Sequence, residues 1–270
     1  MALIETEGLI TREVKYGDSG RILTALTKDL GKISILASRS RTNKSGVLMA
    51  TQLLSLSRFE LYKGRGKGMY KLNEAELMTT FSDIGLSLEK TSYASYFCDL
   101  ANYLTLEEIP NTQELRLLLN SLYLLNLEKV EPETLRMAFQ LRSMAIEGLA
   151  PNTEECSICG DKNIRYIDRD EGVGVCEKCA AGKGRLTEVN EGVRRIINFI
   201  CTADIKDIFY IDLSPKTVKY ISEFGEKYIE AQFQHEFKTL NFLKDVLKLN
   251  EPITGANNSD APDDTKKTEG

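Results

Sequence analysis

Cys156-Ser157-Ile158-Cys159 and Cys176-Glu177-Lys178-Cys179 are two Cys-x-x-Cys pairs with sixteen residues between them. A pair at this spacing turns through a tight knuckle and aims both sulfurs at one point. Two such knuckles close a tetrahedral four-sulfur site, the geometry that zinc accepts from thiolates. Four protein ligands leave no open position, so the spacing predicts one structural Zn2+ rather than a catalytic one. Iron in a rubredoxin-like site is the alternative metal: Cys159-Gly160 fits such a knuckle, whereas Cys179-Ala180 does not repeat the glycine. A redox dithiol is disfavoured, because no thioredoxin-like strand and helix surround either pair. Gly160, Gly172, Gly174 and the nearby Pro151 make the stretch turn-rich. A segment of that kind has too small an apolar core to fold alone, and metal binding would supply the difference.

Enzymatic chemistry finds little else to work with. The chain has one histidine, His235, read here as a packed or capping side chain on a late helix. His-Glu-x-x-His is absent, as are the zinc deaminase signature, the Walker A loop and a strand-borne Gly-x-Gly-x-x-Gly. The reading is therefore a non-catalytic protein. The net charge of −5 over 270 residues conceals an asymmetry. Residues 1–80 hold thirteen Lys and Arg against eight Asp and Glu, while the remainder holds 22 against 32. An anionic partner is expected for the first part only. Its candidate phosphate contacts are Arg12, Arg21, Lys32, Arg39, Arg41, Lys44, Lys63, Arg65 and Lys67. Arg39/Arg41/Lys44 and Lys63/Arg65/Lys67 each gather three like charges on a loop, which surface packing does not require. Tyr16, Phe59, Tyr62 and Tyr70 interleave with the cations. Exposed aromatics of this kind stack on unpaired bases, although Phe59 and some of the tyrosines are expected in the core.

The elements that must position these residues divide into two kinds. Residues 1–80 read as about five short strands, with turns at Gly17–Gly20, Asp29–Gly31 and Lys63–Gly68. Ile10, Val14 and Tyr16 are expected on one face of the first strand. Leu53 to Tyr62 changes phase, Leu54 and Leu56 on one face and Phe59 and Leu61 on the other, as a bulge produces. Short curved strands of this number suggest an OB-fold barrel. From Phe81 the apolar period becomes helical, through Glu89–Leu104, Leu115–Leu125, Glu131 to Gly148, Val193–Ile200, Pro215–Ala231 and Phe233–Leu247. The predicted fold class is α+β and multi-domain. An N-terminal OB-fold β-barrel (1–80) is followed by an all-α domain (81–249). Inserted in the latter is a zinc-finger-like segment (150–182), and a disordered tail (250–270) ends the chain. No apolar run is long enough for a membrane span and no signal peptide is visible, so the expectation is a cytoplasmic protein.

With these features in place, the chain resembles the bacterial recombination mediator family RecO. Glu7-Gly8-Leu9-Ile10-Thr11-Arg12-Glu13-Val14-Lys15-Tyr16-Gly17-Asp18-Ser19-Gly20-Arg21 is similar to the family's opening, and Gly31-Lys32-Ile33-Ser34 fits it too. Tyr62-Lys63-Gly64-Arg65-Gly66 resembles its turn before the last barrel strand. Tyr93-Ala94-Ser95-Tyr96 matches its first long helix, and Phe139–Arg142 through Gly148–Pro151 leads, as in the family, to the cysteines. The resemblance spans about 1–250. It implies binding of single- and double-stranded DNA, annealing of complementary strands, and action in DNA repair with a RecR-like mediator. It implies engagement of the single-stranded DNA-binding protein, SSB, and help in loading a recombinase filament on coated DNA in the RecFOR pathway. Nucleoid association would follow. The alternative reading is a zinc-stabilised protein-interaction scaffold with incidental nucleic-acid binding, in which an acidic peptide docks among the helices.

Overall fold

The computed structural model describes residues 3–17, 20–38, 46–63 and 68–250. Arg39, Arg41, Lys44, Arg65, Lys67 and the predicted tail beyond Asn250 lie outside the described residues.

The first strands, β1 (Leu3–Tyr16), β2 (Gly20–Thr27), β3 (Gly31–Ser38), β4 (Ser55–Lys63) and β5 (Tyr70–Thr80), form a closed barrel in the order β1-β2-β3-β5-β4. Closure rests on the length of β1. Its first half pairs with β4, from Leu3 opposite Tyr62 to Leu9 opposite Leu56. Its second half pairs with β2, from Gly8 opposite Thr27 to Tyr16 opposite Gly20. The other seam is short and parallel, Ile35 opposite Tyr70 and Leu36 opposite Lys71. Ile10, Leu23, Ala25, Ile33, Ile35, Phe59, Leu61 and Leu72 fill the interior, and the short helix α1 (Val47–Ala50) adds Val47 to it.

Two expectations for the strands need correction. Ile10 is buried, whereas Val14 and Tyr16 are 46% and 50% exposed. The register of β1 on β2 shifts between Ile10 and Arg12, and a one-residue shift turns every later side chain to the opposite face. The second strand with a phase change starts at Ser55, because Leu54 takes a left-handed backbone with φ 63° and ends the preceding turn. The phase change itself is real. Leu56 packs against the helical core and Phe59 and Leu61 lie in the barrel, with register shifts at Leu56/Ser57 and Glu60/Leu61.

Six longer helices follow: α2 (Leu88–Leu104), α3 (Thr112–Asn126), α4 (Pro132–Ile146), α5 (Glu191–Thr202), α6 (Pro215–Phe233) and α7 (Lys238–Asn250). Their starts are encoded locally. Ser87, Asn111, Asn190 and Ser214 each accept a first-turn backbone N–H, and Pro132 and Pro215 open their helices. The expected last helix, Phe233 to Leu247, is interrupted at Gln234, where φ is 49°. His235 therefore lies in the α6–α7 connection and not on a helix. It stacks on Tyr103 with ring centroids 4.4 Å apart and meets Phe237 edge-on. The cysteine segment contains a small sheet of β6 (Ile164–Asp168), β7 (Val173–Cys176) and β8 (Leu186–Glu188), in the order β7-β6-β8. Strands of three to five residues are too short for their period to stand out in the sequence. Among the described residues, no helix is long and apolar enough to cross a membrane.

Barrel and helices share a core, since Leu9 and Leu26 on the outer barrel face belong to the helical cluster. Polar bonds reinforce the contact. Thr11 Oγ1 donates to Asn102 Oδ1 at 2.8 Å, and Lys32 Nζ donates to the Asn102 carbonyl at 2.7 Å. The α2–α3 connection then runs along the start of β3, where the Glu108 N–H bonds to the Lys32 carbonyl at 3.0 Å. Gly31 permits this approach. Its φ is +69°, and a Cβ there would lie 2.2 Å from the Ile109 carbonyl oxygen.

Glu114, in the first turn of α3, is fully buried. Ser143 Oγ donates to Oε1 at 2.8 Å, and Oε2 has no protein partner. Burial pushes its pKa up to about 8; the Ser143 hydrogen bond opposes the shift and the charge of Glu147 adds to it. The folded state thus prefers the protonated acid. This contribution is fully present below the unfolded pKa of ~4.3 and is lost as pH rises through about 8. Glu114→Gln should match the native protein in stability near pH 4 and exceed it by on the order of 5 kcal/mol at pH 9. Denaturant titrations at the two pH values measure this, and an equal difference at both would show that the carboxyl is not buried neutral.

Candidate metal centre and nucleic-acid interface

The sulfurs of Cys156, Cys159, Cys176 and Cys179 lie within 4.8 Å of one another, and none is in a disulfide. The first knuckle turns on Gly160, whose φ is +73° and whose N–H bonds to the Cys156 carbonyl at 2.9 Å. The second follows β7 as a 3-10 turn, Glu177–Cys179. Ala180 sits there in the right-handed region, φ −74°, so this knuckle has no need of glycine. That accounts for the unequal residues after the two pairs.

The donor set fits a tetrahedral cation. A metal–sulfur bond of about 2.3 Å implies sulfur–sulfur edges of about 3.8 Å, and Cys159 and Cys176 stand at 3.7 Å. Backbone N–H groups of Cys176, Ile158 and Cys159 aim at the Cys156 sulfur and pull its pKa down to about 6. Hydrogen bonding to Cys159 and Cys176 pushes Cys179 up to about 12. Four thiols this close cannot all ionise without a cation among them, and a bound metal removes that conflict. The apolar support is slight: Val175 with Cys156 and Cys176, flanked by Tyr166, Ala180 and Leu186.

The segment is tied to the helices by backbone contacts. Arg194 on α5 donates to the Thr153 carbonyl at 3.2 Å. Tyr228 and Gln232 on α6 donate to the carbonyls of Leu149 and Arg169, at 3.0 and 2.7 Å. Its own charges pair locally: Arg165 with Glu188 at 2.7 Å, Lys183 with Glu171 at 3.0 Å and Arg185 with Asp170 at 3.6 Å. A surface neutralised in this way has little attraction for a polyanion.

The barrel cations are distributed unevenly. Arg12 is exposed on β1. Arg21 pairs with Glu13 at 3.1 Å and donates to Thr51 Oγ1 at 2.9 Å. Lys32 faces the helical half, bonded to Asn102, and burial lowers its pKa against the pull of Glu107. Lys63, at the end of β4, lies 3.0 Å from Glu108 Oε1 and 5.2 Å from the centre of the Tyr70 ring. Arg39, Arg41, Lys44, Arg65 and Lys67 lie outside the described residues. Among the aromatics, Phe59 and Tyr70 are core and Tyr16 is half exposed. Sequence patterning missed Asn102 and Glu108. Neither belongs to a motif, and their partners are about 70 and 45 residues away.

Comparison with known proteins agrees with this arrangement. The model for the recombination protein O N terminal matches residues 1–81, and that for the recombination protein O C terminal matches residues 85–241. The DNA repair protein RecO of Acetivibrio thermocellus is 30% identical over 251 residues, covering 92% of this chain and 99% of that protein. The protein of the same name from Alkaliphilus metalliredigens is 30% identical over 247 residues, covering 90% and 100%. That of Clostridium perfringens is 28% identical over 251 residues, covering 90% and 98%. With both halves matched in order over nearly its whole described length, the chain belongs to the RecO family.

Proposed function

We propose that this chain is a non-catalytic, DNA-binding mediator of recombinational DNA repair. It would anneal complementary strands and promote recombinase loading on SSB-coated single-stranded DNA. The observation that carries the reading is the closed five-stranded barrel of β1–β5, at the basic end of an otherwise acidic chain of the RecO family. Its strand order, with one short parallel seam, is that of an OB-fold, and residues 1–80 are read as the nucleic-acid-binding domain. The helices to about residue 249 form a second domain around the cysteine segment.

OB-folds bind strands across β2–β3, between the β1–β2 and β4–β5 loops. The proposed contacts Arg12, Arg21, Arg39, Arg41, Lys44, Lys63, Arg65 and Lys67 neutralise phosphates without reading bases. Lys32 contributes only where its bond to Asn102 opens, and Lys63 only where its ion pair with Glu108 opens. Two strands on one basic surface repel each other less, and pairing follows. The acidic remainder keeps DNA on the barrel. A RecR-like mediator and SSB are the proposed protein partners, in the cytoplasm and at the nucleoid. The four cysteines are read as ligands of one Zn2+ that folds their segment and takes no part in chemistry.

A second reading, the interaction scaffold, draws on a cavity of 450 Å³ between β8, the start of α5 and α6. Val193 and Tyr220 give it an apolar wall, and Lys216 and Lys219 line it together with Glu188 and Glu223. The two readings part on salt dependence, because a scaffold has no need of a strong phosphate term.

Two outcomes are expected. Replacing Arg39, Arg41 and Lys44 together by Ala should weaken oligonucleotide binding. It should also flatten the plot of log affinity against log salt by about 2, the sum for three single-strand phosphate contacts. An unchanged slope would remove this loop from the contact. Cys176→Ser should leave less than one zinc per chain by elemental analysis and lower Tm by roughly 5 °C or more. DNA affinity of the folded variant should stay at the native level. Loss of DNA binding with the segment still folded would overturn the division between clip and barrel.

A further inference from the structure

Lys63 stands where β4 enters the loop to β5, one of the two loops that flank the strand-binding face of an OB-fold. Its ammonium meets a carboxylate from the other half of the molecule. Glu108 Oε1 lies 3.0 Å from Lys63 Nζ and accepts a hydrogen bond from Tyr70 OH at 3.0 Å. The same residue holds a left-handed backbone, φ 56°, which a residue with a side chain seldom adopts. Its N–H is fixed to the Lys32 carbonyl at 3.0 Å, and Lys32 itself bonds to Asn102. A carboxylate oxygen receiving an ammonium and a phenolic hydroxyl sits as a phosphate oxygen would sit. The segment that carries it ends at Pro110 and exposes Leu106 and Ile109 to solvent at 64% and 53%.

We infer that Glu108 is an internal phosphate mimic, which caps one DNA-phosphate subsite formed by Lys63 and Tyr70 on the barrel. The inference rests on the DNA-binding reading above. A strand reaching the β4–β5 loop has to displace Glu108 before it gains Lys63. A partner that drew the α2–α3 connection off the start of β3 would take Glu108 with it and raise DNA affinity without touching DNA.

The test is a salt titration of the full-length protein with a fluorescent oligothymidylate. Glu108→Gln keeps the size and the Tyr70 acceptor and removes the charge, and Glu108→Ala removes the whole carboxylate. Both should bind more tightly than native at low salt, with a slope steeper by about 0.7, one additional single-strand phosphate contact. Glu131→Gln removes the same charge from the helical half, at the start of α4, and should leave the slope at its native value. Lys63→Ala in the Glu108→Gln background should abolish the gain. A native slope in both Glu108 variants, an equal gain in Glu131→Gln, or a gain that survives loss of Lys63 would each overturn the inference. Native protein that bound the oligonucleotide without salt dependence would instead overturn the DNA-binding reading itself.

Discussion

The joint at Asn102 is the constraint on which the rest of the molecule depends. One residue near the end of α2 accepts from β1 through its side chain and from β3 through its carbonyl. Leu9 and Leu26 leave the outer barrel surface for the helical core at the same place. A small barrel closed by a two-residue parallel seam has little interior of its own, so its outer face is stabilised by what covers it. Gly31 sets the distance of closest approach, since any side chain there would meet the backbone at Ile109. Barrel and helices are therefore parts of one packed body in which the barrel is bounded on one side by the α2–α3 connection.

Charge follows the same division. Cations gather on the barrel and acids on the helices, but the two meet at the joint, where Lys32 and Lys63 face Asn102 and Glu108. Net charge per region overstates the positive surface on offer, because Lys63 is paired with Glu108 and Lys32 is turned onto the Asn102 carbonyl. Around the cysteines, ion pairs close on themselves, and the segment attaches to the helices through backbone carbonyls instead. That is the behaviour of a structural clip. With so small an apolar cluster, a metal bound by the four cysteines would be the dominant local constraint.

Inside the helical half, polar groups are held in low-dielectric surroundings. Gln140 donates to the buried Tyr96 hydroxyl at 2.9 Å, and Arg136 is enclosed with Glu133 and Glu226. Arg142 donates to the carbonyls of Ile200 and Cys201 and so closes the end of α5. Such bonds fix the relative rotation of helices whose apolar faces would tolerate several arrangements. Glu114 differs in kind, as a buried acid held by a single hydroxyl and kept neutral by its surroundings.

Much of this was legible in the sequence. The cysteine spacing named the four sulfurs that converge, because two tight knuckles are local structures and the metal geometry is set by chemistry. Alternation and turn residues located the barrel strands, and the helical period of the apolar residues located the helices, since those preferences act within a few residues. The tertiary structure alone decided three things. Val14 and Tyr16 face outward because a bulge, decided by pairing with β2, shifts the register after Ile10. His235 lies outside its expected helix because Gln234 turns left-handed and ends α6, and the ring then stacks on Tyr103 with Phe237 edge-on to it. Lys32 and Lys63, indistinguishable in the sequence from the other barrel cations, meet Asn102 and Glu108 only when the two halves pack. Residue type and spacing determine which groups can bind phosphate or metal. Contacts between distant parts of the chain determine which of them are left facing solvent.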